Sequence, residues 1–112
     1  MNHARGEAAL EAGERTYRLC LTLGALAEIE TALGADSLGE LDARLRSLKT
    51  SDVIAVLAAL MRGGGEAVSG SDVASLAVSP ANAVAAIAKA FTAAGLGAGA
   101  ETGAGNVSPP QA

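Results

Sequence analysis

Between Tyr17 and Leu23 the apolar side chains recur at every second position, which is the period of a β-strand. Tyr17, Leu19, Leu21 and Leu23 face one way, and Thr16, Arg18, Cys20 and Thr22 the other. Upstream, Ala8, Leu10 and Ala12 alternate with Glu7, Ala9 and Glu11. A two-residue turn at Gly13-Glu14, with glycine first as a type II′ turn prefers, joins the two runs into a hairpin over residues 1–23. This register sets Leu10 opposite Tyr17 and Ala8 opposite Leu19. It also puts Glu7 and Glu11 on the face of Arg18, where opposite charges pair across strands. A lone hairpin is marginal in water, so its apolar face needs helices or another chain against it.

Beyond residue 23 the period becomes helical. Leu26, Ile29 and Leu33 share a face, and Gly34 is placed to end that helix. Ser37 and Glu40 have the spacing of a capping box, followed by a stripe of Leu38, Leu41, Leu45 and Leu48. Thr50 or Ser51 caps a third helix, with Asp52 favourable against its N-terminal dipole. Val53, Ile54, Val56, Leu57, Leu60 and Met61 surround that helix almost completely, which marks it as the central element. Ser71 to Leu76 suit one or two short turns. Ser79-Pro80 starts the last helix, whose inward stripe is Val84, Ile87, Phe91 and Ala94, with Gly95 closing it. The expected fold class is α+β: an N-terminal β-hairpin packed on four to five short α-helices. A single domain spans 1–95, and the Gly/Ala-rich tail at 96–112 is expected to be disordered.

Composition narrows the chemistry. Half of the 112 residues are apolar, but 27 of them are alanine and only 2% of the chain is aromatic, so the core is lightly filled. One Cys and one His cannot build a structural zinc site or an internal disulfide. A net charge of -4 argues against nucleic acid as a partner. No apolar run reaches the ~18 residues of a membrane span, and no apolar signal segment opens the chain, so a cytoplasmic, reducing location is expected.

Each group that could carry chemistry has a plainer reading. Gly63-Gly64-Gly65 follows a helix rather than a strand, and the next lysine is Lys89, so it reads as a flexible helix-ending linker rather than a phosphate cradle. Cys20 lacks a base, the sole imidazole being His3. Glu28 and Glu30 point about 160° apart on a helix and do not converge. Arg44, Arg46 and Lys49 lie where a helix dipole favours cations, with a docking surface for an acidic partner as the alternative. No catalytic residue, cofactor or metal is expected.

The run Asn2-His3-Ala4-Arg5-Gly6-Glu7, then Leu10-Glu11-Ala12-Gly13, Tyr17-Arg18-Leu19 and Leu21-Thr22-Leu23-Gly24-Ala25-Leu26-Ala27-Glu28-Ile29-Glu30, resembles the gene transfer agent family of small phage-tail proteins. The resemblance covers residues 2–65, including Arg62-Gly63-Gly64-Gly65. The family is described both as tail tube protein and as tail assembly chaperone, and it has no catalytic motif to transfer. It implies a bacterial protein that binds the tape-measure protein and keeps it soluble while the tail is built. The tail tube protein and a second copy of the chain are further expected partners. A structural tail component is the alternative, although tube subunits close rings through more strand than one hairpin provides; an unrelated small α+β interaction module is another. Tyr17, Leu19, Leu21, Leu26, Ile29 and Leu33 form the expected core seam and the candidate partner-binding residues, with any surplus apolar surface as the client site.

Overall fold

Gly13 lets the chain reverse: its φ of 64° is the positive value that the first position of a tight hairpin turn requires. The computed structural model describes residues 7–96. Strands β1 (Glu7–Ala12) and β2 (Arg15–Cys20) pair antiparallel, with Leu10 opposite Tyr17 and Ala8 opposite Leu19 as the alternation predicts. Leu10, Ala12, Tyr17 and Leu19 are buried on one face. The second strand is shorter than its alternation suggests. The Thr22 hydroxyl accepts the Ala25 N–H at 3.0 Å and caps a helix there, so Leu23 becomes its first residue, 86% exposed, rather than a fourth inward strand residue. Residues 1–6 of the expected hairpin, and the expected tail apart from Leu96, lie outside the described residues.

Helix α1 (Leu23–Leu33) buries Ala25, Ile29 and Leu33, with Leu26 half-buried at the flank. Gly34, at φ 69°, ends it: the Gly34 N–H donates to Thr31 O and the Ala35 N–H to Glu30 O. In α2 (Leu38–Leu45) the Ser37 hydroxyl accepts the Glu40 N–H as expected. The Glu40 carboxylate reaches one residue further back than a capping box requires and accepts from the Asp36 N–H at 2.8 Å. Helix α3 (Thr50–Gly63) starts one residue earlier than its hydroxyl caps suggest, because the Asp52 carboxylate takes the Lys49 N–H at 3.0 Å. It is the central element. Val56 to Met61 are buried, and α3 packs against α1, β2, α4 and α5.

Helix α4 (Gly70–Ala74) is one short turn fixed by reciprocal bonds between Ser69 and Asp72, and it buries Val73. Helix α5 (Pro80–Ala93) begins at Ser79-Pro80, but its inward face is rotated from the expected stripe. Ala83, Ala86, Ile87, Ala90 and Phe91 are buried, Ala94 is half-buried and Val84 is 46% exposed. Alanine at 83, 86 and 90 lets α5 lie close against β1 and α3, so the small face turns inward and the bulkier Val84 turns out.

The first two residues of the triple glycine, Gly63 and Gly64, are a packed contact rather than part of the expected flexible linker, and only Gly65 meets open space. A Cβ on Gly63 would overlap the Cys20 carbonyl oxygen, and one on Gly64 would sit 2.7 Å from the Arg18 carbonyl carbon. The Glu66 carboxylate then accepts the Arg18 N–H at 3.1 Å. The end of α3 therefore lies directly on the backbone of β2. Gly64→Ala should lose about 1–3 kcal/mol through forced displacement, and Leu57→Ala roughly 2–5 kcal/mol through a cavity. Urea unfolding checks both, with Gly39→Ala as a control whose Cβ would make only an ordinary contact, 3.8 Å from the Ser37 hydroxyl, and should not lower stability.

Candidate functional site: an apolar groove between two helices

Helices α2 and α5 stand apart, and the recess between them is lined by apolar side chains. Leu45 and Leu48 form one wall, Val84, Ile87 and Phe91 the other, and Leu96 lies at the end. The recess holds about 240 Å³, and a shallower extension reaches Leu38 and Leu41. Leu96 is positioned by the close of α5: Gly95 takes φ 83°, and the Leu96 N–H donates to Phe91 O at 2.8 Å. Of the four large apolar side chains that remain exposed among the described residues, Leu38 (51%), Val84 and Leu96 (37%) border this groove, and Leu23 does not. Clustered exposed apolar surface of this kind marks an interaction site more often than scattered leucines do.

The rim is polar. Arg46 donates through Nε and Nη2 to the same Asp42 oxygen, an exposed pair of i,i+4 spacing that adds little stability but bounds the groove with charge. Such a surface can release water when an apolar partner covers it, at about 25 cal/mol per Å².

The expected site residues are brought together, but in the core. Tyr17, Leu19, Leu21, Ile29 and Leu33 are buried, and Leu26 is half-buried. The Arg15 guanidinium lies 4.5 Å from the centroid of the Tyr17 ring. The surplus apolar surface is at α2 and α5. Its signal was present in the Leu38–Leu48 stripe, but the rotation of α5 that turns Val84 outward depends on tertiary packing.

The polar candidates take structural roles. Glu28 pairs with Arg62, which also donates to Val68 O at 2.9 Å and so ties α1 and the end of α3 to the following loop. Arg18 forms no ion pair with Glu7 or Glu11; among the described residues the ion pairs are Arg46–Asp42 and Arg62–Glu28. Burial, reinforced by the charge of Glu7, pushes the Cys20 thiol above its usual range, and Arg18 only partly opposes this. No group of three or more His, Cys, Asp or Glu capable of holding a metal occurs among the described residues. None of the described helices is long and apolar enough to cross a membrane.

The hairpin, the five helices and the groove define a small α+β protein in which three of the four exposed large apolar side chains among the described residues border one groove between two helices. A family model described as phage tail tube protein, GTA-gp10, matches residues 5–98, and the chain belongs to that family. The match reaches past the 2–65 resemblance and takes in α4 and α5, the second of which forms one wall of the groove. It supports a role in a phage-type tail of the gene transfer agent kind. No curated protein and no solved structure matches the chain.

The raised thiol gives a test of the environment of Cys20. Its thiolate fraction at neutral pH is below that of free cysteine, whose pKa is about 8.5. Alkylation by iodoacetamide should therefore run slower than on a cysteine peptide and level off at a higher pH. Urea should restore the peptide rate.

Proposed function

We propose that the protein acts in tail assembly as a chaperone that binds the tape-measure protein and keeps it soluble, with the α2/α5 groove taking an apolar stripe of that client. The observation that carries this reading is the gathering of Leu38, Val84 and Leu96 around one recess in a chain of a phage-tail family. A long helical client presents apolar side chains at i, i+3, i+4 and i+7, and a groove between two helices is the surface such a stripe fits. The seam of Tyr17, Leu19, Leu21, Leu26, Ile29 and Leu33 supports that surface from within the core; Leu26, half-buried, is the one member with more than marginal exposure for direct contact. Holding a client in this way needs a reversible apolar contact and no bond-making group.

The family description favours a second reading, a component retained in the tail tube. The short strands favour the chaperone, since the two six-residue strands among the described residues offer little sheet with which to close a ring.

Co-expression with the tape-measure protein separates the readings. The wild-type chain should keep that protein in the soluble fraction, and Val84→Asp with Leu38→Asp should let it precipitate while the variant itself stays folded. Mass spectrometry of purified particles should find the chain absent or far below stoichiometry. Stoichiometric recovery would establish the tube component instead.

A further inference from the structure

The hairpin has two outer edges, and the helices close only one. On β2 the Arg18 N–H goes to Glu66, and the carbonyls of Arg18 and Cys20 face Gly64 and Gly63. Arg18 lies opposite Ala9, and its N–H points away from β1, so the two residues form a non-hydrogen-bonded pair. The N–H and C=O of Ala9 therefore point away from β2, and the same alternation turns the backbone of Glu7 and Glu11 outward. Among the described residues no partner meets the outward groups of Ala9 or Glu11. Beside this edge runs a recess of about 490 Å³, floored by Asn82, Ala85, Ala86 and Lys89 of α5. The small alanines leave width for a third strand.

Charge selects the occupant. Glu7 and Glu11 flank Ala9 on the outer face, and neither has a cationic partner among the described residues. A second β1 paired antiparallel about Ala9 would set Glu7 against Glu11 of the other copy, like charge directly opposite like charge. On the other face Lys89 disfavours a cation. We infer that the outer edge of β1 adds a strand from a partner protein. That strand is an extended segment with Lys or Arg at two positions four apart, facing Glu7 and Glu11, and with small apolar residues between them over Ala85 and Ala86. Main-chain hydrogen bonds to Ala9 supply the pairing, and the alternating side chains supply the choice of partner. The surface is separate from the α2/α5 groove and does not rest on the tape-measure reading.

The test uses the full chain and a fluorescent peptide of alternating lysine and valine, read by anisotropy. Binding should saturate, weaken with added salt, and be about tenfold tighter than for a glutamate–valine peptide. Ala9→Pro removes an N–H that makes no bond to β2, so the melting temperature should hold while peptide affinity falls about tenfold or more. The double variant Glu7→Lys, Glu11→Lys changes exposed or half-buried side chains at the rim and should exchange the preference to the glutamate peptide. Val84→Asp in the groove should bind the lysine peptide as the wild type does. A folded Ala9→Pro that binds equally well, or a double variant with unchanged preference, would overturn the inference. So would a dimer of the isolated chain that Ala9→Pro abolishes, which would assign the edge to a second copy.

Discussion

The approach of Gly63 and Gly64 to the carbonyl groups of β2 brings a helix terminus into direct contact with a strand, and the placing of the hairpin depends on it. Any side chain at these positions would hold the two backbones apart, and Glu66 could no longer reach the Arg18 N–H. With that contact made, Leu19 and Tyr17 lie over the buried stretch of α3, and α1 follows from the turn at Thr22. The hairpin, marginal by itself, becomes one wall of a shared core.

Alanine governs the remainder of the packing. With one Phe, one Tyr and no Trp, the core is filled by drawing backbones together rather than by large side chains. Ala83, Ala86 and Ala90 let α5 settle against β1 and α3. The cost of that economy is surface: Val84 is turned out of the core, and α2, which leans mainly on α1, leaves Leu38, Leu45 and Leu48 incompletely covered. The same close packing that compensates for a small core thus produces the apolar groove.

Much of the fold was legible along the chain because local rules and tertiary packing agree. The alternation across Leu10, Tyr17 and Leu19 specifies a register that the hairpin keeps, and the hydroxyls of Ser37 and Ser79 sit at the caps their spacing suggests. Helix ends at Gly34 and Gly95 follow from glycine's access to positive φ. Departures arise where two local signals compete or where a neighbour decides. Leu23 continues the strand alternation but follows a capping threonine, and the cap wins. Consecutive glycines look the same in sequence whether they serve freedom or proximity, and only the position of β2 shows the latter. The groove was half-legible: the leucine stripe of α2 can be read directly, whereas the facing of α5 is set by which of its sides is small.

The sealing of β2 also fixes the valence of this sheet. Growth by strand-to-strand pairing, whether into a fibre or a closed circle, requires every subunit to offer two open sheet edges. Among the described residues Gly63, Gly64 and Glu66 have withdrawn one of them, so pairing at the hairpin can happen once and then stops. By that route the hairpin could cap a β-structure but not extend one, because its own helix occupies the second edge.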